Sequence, residues 1–302
     1  MKYKASVFLI LIIATAVFFC GCASNNSPAK PADLTSHIAY SVSDDGVLSV
    51  DEISYSYSLC NVSNEGKNGS VKLSEIVMKD GEDEVYTTLA SPEKPLSGVV
   101  FAPGAGVSAD AHKNRSISYA ESGIAFMVVD IRGNGGKSEG VSLDFQHEYE
   151  TAVKGMTPQY YRIIFDLISA KDYLKEIYGE SFPVYIAGSS NGGRYAAIAA
   201  GIDSEFEGYF GISTSGYEWE NNKNGEAVDL FIKSINPDSY IGMIKPSKTV
   251  IFHAPDDSVI DFESGMSLYN KAEEPKDFVA FNGTHGINSE VDEYIKTLLA
   301  ED

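Results

Sequence analysis

The sequence predicts an α/β fold: a mostly parallel, twisted sheet with helices on both faces, entered through a short antiparallel section. Three observations carry this. From Gly98 onward, apolar runs of strand length alternate with stretches of helical period, as parallel strands joined by crossover helices do. Before Gly98, strand-like segments follow one another with no helix between them. The apolar run 184–187 then passes through Gly188-Ser189-Ser190-Asn191-Gly192 straight into residues 194–200, rich in helix formers and closed by Gly201.

The chain opens on a targeting pattern. Lys2 and Lys4 precede an apolar run, residues 5–19, too short for a membrane span and suited to a secretory signal. The run ends at Phe19-Cys20-Gly21-Cys22-Ala23-Ser24. This resembles a prokaryotic lipoprotein signal, in which residues 1–21 are the signal peptide and Cys22 becomes the lipidated N-terminus. An uncleaved anchor is the alternative. Both readings place the rest of the chain outside the cytoplasm, tethered to the cell membrane. Residues 22–45, rich in Ser, Pro, Ala and Asn, read as a flexible spacer.

Residues 46–302 are expected to form the folded domain. Its first part, 46–96, reads as antiparallel strands. Residues 47–59 alternate through Ile53, Tyr55, Tyr57 and Leu59; residues 71–78 alternate again, and Lys79-Asp80-Gly81 turns the chain into 84–89. A strand at 98–102, a helix at 112–122 and a strand at 124–130 follow. Residues 160–178 form an amphipathic helix, with Ile164, Leu167, Ile168 and Leu174 near a 3.6-residue period. After the central strand and helix come strands at 208–212, 249–252 and 277–281 and a last helix at 289–299. Residues 217–245, which hold the only tryptophan, Trp219, interrupt the alternation. They read either as a small cap or as a surface excursion.

The formal net charge of −20 argues against nucleic-acid binding, which needs a basic footprint, and against electrostatic attachment to anionic lipid. Of the 3 cysteines, Cys20 leaves with the signal and Cys22 carries lipid. Cys60 then stands alone, so no disulfide framework is expected, and it reads as a small buried hydrophobe on a strand. No Cys/His spacing resembles a zinc site, and no metal is expected.

The chemistry centres on G-x-S-x-G at the strand-to-helix junction. A sharp turn there lifts the Ser190 hydroxyl off the end of the sheet and aims the Asn191 N–H at the same point. One turn thus offers a nucleophile and half of an oxyanion hole. Acyl transfer also needs a base and a carboxylate to orient it. Two later strands supply them in the order serine, acid, histidine. Residues 250–253 run into His253-Ala254-Pro255-Asp256-Asp257-Ser258-Val259-Ile260, and residues 279–281 run into Asn282-Gly283-Thr284-His285-Gly286.

On these residues the chain, from about Val71 to its end, resembles the α/β-hydrolase superfamily in its compact esterase, dienelactone-hydrolase-like and prolyl-oligopeptidase-like branches. The resemblance implies the α/β-hydrolase fold, and it aligns the family's His-Gly-x-x-Asp-x-x-Val strand on His253 and Val259. The acid then falls on Asp257, with Asp256 as the alternative. His253 becomes a structural histidine and His285 the base, while His37, His112 and His147 read as solvated surface. The second oxyanion donor falls in Phe101-Ala102-Pro103-Gly104-Ala105-Gly106, on the N–H of Ala105, with Gly104 as the alternative. Pro103 replaces the family's usual histidine. Asp130-Ile131-Arg132-Gly133-Asn134-Gly135 matches the family's Asp-x-Arg-Gly-x-Gly, a structural loop beside the turn. Dienelactone hydrolases proper carry cysteine where this chain has Ser190, so that branch lends a fold and not a substrate.

The expectation is a serine hydrolase that cleaves carboxyl esters through Ser190, His285 and Asp257 with an acyl-enzyme intermediate and no cofactor. Its partner is a small-molecule or peptide acyl substrate. A peptidase or amidase using the same groups is the alternative, as is a non-catalytic envelope binding protein on the same fold. The sequence assigns no oligomeric state.

Overall fold

The computed structural model describes residues 38–219 and 225–301. The expected signal peptide, Cys22, His37 and most of the expected spacer lie outside the described residues, as do residues 220–224. Strand β1 (Ala39–Val42) pairs antiparallel with β2 (Leu48–Glu52) in a two-stranded sheet of their own. This pairing takes residues 39–42 out of the segment expected to be spacer. It also divides the stretch 47–59, because β3 (Ser56–Glu65) belongs to the main sheet.

The main sheet continues with β4 (Val71–Asp80) and β5 (Asp83–Ser91). They form a hairpin in which Asp80 faces Asp83 and Gly81 takes φ 62°, a left-handed turn position that glycine fills without strain. Then come β6 (Ser97–Ala102), α1 (Lys113–Glu121), β7 (Ile124–Val129), α2 (Phe145–Val153), α3 (Gln159–Tyr178), β8 (Val184–Ser189) and α4 (Asn191–Ile202). The chain ends through β9 (Gly208–Ile212), α5 (Glu226–Ser234), β10 (Lys248–His253), α6 (Phe262–Lys271), β11 (Lys276–Ala280) and α7 (Ser289–Glu301).

The 9-stranded sheet has the order β11-β10-β9-β8-β6-β7-β5-β4-β3. All pairs from β11 to β7 are parallel, and those among β7, β5, β4 and β3 are antiparallel. The apolar runs are unbroken because the central strands are covered on both faces. On β6, Val100 and Ala102 join the core formed with α3 and α4, and Val99 and Phe101 face α1 and α7. The chain leaves β6 toward β7 and returns to β8 on the other side of β6. In such sheets the crevice at the carboxyl ends of the strands flanking that reversal holds the ligand. Here it opens where β6 runs into Pro103 and β8 runs into Ser190.

Of the segment expected as a cap or a surface excursion, the described residues 225–245 pack into the domain. Phe231 and Ile232 of α5, with Ile235, Tyr240 and Ile241, are buried in the same core as α3 and α4. Cys60 departs from expectation: it is exposed. It sits on β3, the outermost strand, where Tyr57 packs on Tyr173 of α3 but Leu59 and Cys60 are left exposed, so period-two alternation there did not report burial.

Candidate active site

Ser190 links β8 to α4 with φ 56° and ψ −122°, a conformation that costs a non-glycine residue energy and persists only when its surroundings fix it. Three hydrogen bonds do so. Ser190 N–H donates to the Ile212 carbonyl at 2.8 Å, and the Ser190 carbonyl accepts from Gly193 N–H at 3.0 Å and from the Thr214 hydroxyl at 2.8 Å. The two glycines of the motif are needed for close approach. A Cβ at 188 would collide with the backbone of Gly192 and Gly193, and a Cβ at 192 would collide with the carbonyl oxygens of Ala102 and Pro103. The turn therefore presses directly on the end of β6.

Three side chains meet at this turn. His285 Nε2 lies 2.8 Å from Ser190 Oγ, and His285 Nδ1 lies 2.9 and 3.0 Å from the two carboxylate oxygens of Asp257. With Nδ1–H donated to the carboxylate, Nε2 presents its lone pair to the serine hydroxyl, the tautomer that a base requires. Asp257 is buried and also accepts N–H bonds from Val259 and Ile260 at 2.9 and 3.0 Å. Burial pushes its carboxyl up, but the N–H groups of Ile260 and Val259 and the His285 ring outweigh that and hold it below the usual carboxylate range. Asp256, its neighbour, is exposed.

The loops that carry these groups are braced from behind. His253 is fully buried and its Nε2 pairs with the Ile260 carbonyl at 2.9 Å, closing the acidic turn. Gly286 N–H donates to Ser213 Oγ at 3.0 Å, and Arg115, paired with Asp292, donates to the Ile287 carbonyl at 3.2 Å. His112 is not at the surface as expected. It is buried edge-on to the Phe101 ring, and burial, with the Arg115 cation beside it, pushes its imidazole down to about 4. Its polar sequence neighbours gave no sign of that ring contact.

Two backbone segments stand next to Ser190. Asn191 begins α4, whose amino end carries partial positive charge. Gly104 and Ala105 follow β6, and a Cβ on Gly104 would lie 3.3 Å from Ser190 Cβ. The loop after β7 stands next to them. Asp130 is buried and accepts from the N–H groups of Ala109, Lys137 and Ser138, while Arg132 makes a bidentate, buried pair with Asp166. Burial opposes the guanidinium charge of Arg132, and Asp166 and Asp83 outweigh it, so its pKa is raised.

A tyrosine-rich wall that the sequence did not single out flanks α4. Tyr217 OH lies 3.4 Å from Asn191 Oδ1 and 3.1 Å from Tyr160 OH, and Asn191 Nδ2 donates to Tyr195 OH at 2.8 Å. Arg194 stacks on the Tyr217 ring at 4.4 Å, and Phe145 of α2 meets it edge-on at 5.1 Å. Phe145 and Tyr217, from the stretches before α3 and after β9, thus meet beside the turn. Among the described residues no cluster of three or more His, Cys, Asp or Glu is placed to hold a metal ion. The arrangement can activate a hydroxyl and transfer its proton.

Comparison with known proteins places this geometry in a fold. No family model and no curated protein matches the sequence. Solved structures do match. An acetyl xylan esterase from Paenibacillus sp. superposes with a TM-score of 0.67 at 16% identity, over 82% of this chain and 89% of that one. An acetyl xylan esterase from Thermoanaerobacterium sp. gives 0.65 at 12% identity, over 82% and 88%. A glucuronoyl esterase from Solibacter usitatus gives 0.62 at 11% identity, over 88% of each chain. The sheet order, the strand-to-helix turn and these neighbours agree: the chain has the α/β-hydrolase fold.

Proposed function

We propose that the protein is a serine hydrolase that cleaves carboxyl esters through an acyl-enzyme intermediate. The observation that carries this is the unbroken hydrogen-bonded series Ser190–His285–Asp257 on a strained turn at the carboxyl end of the sheet. Ser190 Oγ attacks the ester carbonyl carbon while His285 Nε2 takes its proton. The charge that develops on the carbonyl oxygen is met by the N–H groups of Asn191 and Ala105. His285 then returns the proton to the departing alcohol oxygen. Water enters, gives a proton to His285, attacks the acyl carbon and releases the acid with Ser190 restored. Asp257 holds the imidazole in the required tautomer throughout.

The neighbours' names speak of acetyl xylan and glucuronoyl esters, which are carboxyl esters on carbohydrates. They support carbohydrate acetates as substrates to be tried beside simple esters. The test is hydrolysis of a p-nitrophenyl ester series, acetate to decanoate, by the signal-free protein and by Ser190→Ala. Turnover in the parent and its loss by a factor on the order of 10⁶ in the variant is expected. No turnover in either would overturn the reading.

The same proposal holds the domain outside the cytoplasm on lipid attached at Cys22. Its support is the charged, apolar and small-residue order of residues 2–24. Metabolic labelling with a fatty-acid probe should mark the parent and leave Cys22→Ser unmarked.

A further inference from the structure

The geometry points to Asn134 as the residue that positions the oxyanion donor at Ala105. This rests on the hydrolase reading above and goes beyond it, since Asn134 touches neither Ser190 nor His285. Its side-chain amide is spent entirely on one four-residue turn, Gly104 to Val107. Nδ2 donates to the Gly104 carbonyl at 2.9 Å and to the Val107 carbonyl at 3.0 Å, and Oδ1 accepts from Gly106 N–H at 3.1 Å.

The turn closes without this help. Val107 N–H donates to the Gly104 carbonyl at 3.1 Å, and Gly106 supplies the left-handed φ of 72°. What the turn lacks is an internal means of fixing its place above Ser190. Ala105 is exposed and its methyl holds nothing down. Asn134 supplies the tie, and it is itself held by the loop after β7, where Asp130 binds the N–H groups of Lys137 and Ser138 on one side and Ala109 on the other. Asn134 also sorts the donors. Gly106 N–H is drawn to Oδ1 and Val107 N–H to the turn, leaving the N–H groups of Gly104 and Ala105 without a hydrogen-bond partner among the described residues.

Position matters because such a donor works only at roughly 2.7–3.1 Å from the developing oxyanion. A displacement of the turn by a few tenths of an ångström weakens that bond and leaves the ground-state ester almost unaffected. Asn134 therefore acts on the transition state through Ala105, as a positioning residue.

The test compares the parent with Asn134→Ala and Asn134→Asp, each normalised to active sites titrated with a fluorophosphonate. The aspartate keeps the size and the acceptor for Gly106 but sets an anionic oxygen against two carbonyls, so it should be the slower variant. Expected are kcat losses on the order of 10- to 100-fold with KM changed less than threefold. Affinity for a trifluoromethyl ketone, which forms an oxyanion on Ser190, should fall by the same factor, while inhibition by the product alcohol stays constant. An unchanged kcat per titrated site overturns the inference. So does a kcat loss without loss of ketone affinity, which marks a general structural defect. If the parent neither turns over esters nor takes up the fluorophosphonate, the hydrolase reading fails instead, and this inference with it.

Discussion

The hydroxyl of Ser213 accepts the backbone N–H of Gly286 at 3.0 Å, joining the end of β9 to the loop that carries His285. Ser213 is fully buried and sits at φ 47°, so the chain keeps a strained residue where its side chain reaches that loop. Ser213→Ala should destabilise the protein by about 1 kcal/mol, the cost of one lost hydrogen bond, and slow turnover several-fold. Ser213→Gly relieves the backbone strain but also lacks the acceptor. It should be more stable than the alanine variant and equally slow, as read by urea unfolding and initial rates.

The two adjacent carboxylates should separate cleanly. Asp257→Asn leaves the geometry but offers an amide where His285 needs an acceptor, and kcat should fall on the order of 10⁴-fold, as in the serine-protease case. Asp256→Asn, at an exposed position, should retain turnover within about twofold. An inactive Asp256 variant would shift the acid by one residue.

Asp257 also gives the stability a pH dependence. Its carboxyl is held below the value of an unfolded chain, so it contributes stability above about pH 4 and loses it as pH falls through the folded value. The gap in unfolding free energy between the parent and Asp257→Asn should be constant near neutrality and narrow below about pH 4. Urea titrations from pH 7 to pH 3 measure it.

Arg132 and Asp166 form a buried, bidentate ion pair, with Nε–Oδ2 at 2.7 Å and Nη2–Oδ1 at 3.0 Å. Arg132→Met strands the Asp166 carboxylate in the core and should cost about 3–5 kcal/mol. Adding Asp166→Leu should recover most of that loss, because removing both charges removes the uncompensated one. Thermal unfolding of the two variants tests this.

Gly192 and Gly135 should respond differently to alanine. At 192 the methyl meets the carbonyls of Ala102 and Pro103, and overpacking should cost about 1–3 kcal/mol along with activity. At 135 nothing lies within 4 Å, and only the left-handed φ of 82° resists, a cost of about 1 kcal/mol.

The parallel core was legible in the sequence, and Ser190 and Asp257 follow apolar runs that are buried in it. His285 instead follows the partly accessible edge strand β11 and was marked by its place after the acid and by its flanking glycines. The ends of α3 were legible within a residue, Gln159–Tyr178 against an expected 160–178. By contrast, α7 runs on to Glu301 past the expected 299, and α4 begins at Asn191, three residues before the run of helix formers. Period-two alternation was less informative at the sheet edge. Cys60 and Leu59 on β3 look like buried strand residues, but burial depends on whether a helix reaches them, and the cover that α3 gives this strand at Tyr57 leaves both exposed. The tie from Asn134 to the turn after β6 and the contact of Tyr217 with Asn191 were invisible, since both join loops whose meeting depends on strand order. Likewise Phe101 and His112, 11 positions apart by their numbers, reveal their contact only once α1 is packed on β6.

The placement of β10 and β11 bears on how the protein would fail. The acid hangs from the outer side of the parallel section and the histidine from its last strand, whose residues are all at least partly accessible to solvent. The serine, by contrast, stands at the middle of the sheet. Edge strands open more readily than central ones, through local fluctuations that leave the remainder intact. Catalysis should therefore be the most heat-sensitive property of the molecule, fading while circular dichroism still reports a native sheet. Amide hydrogen exchange should be fastest, among the strands of the parallel section, in β11.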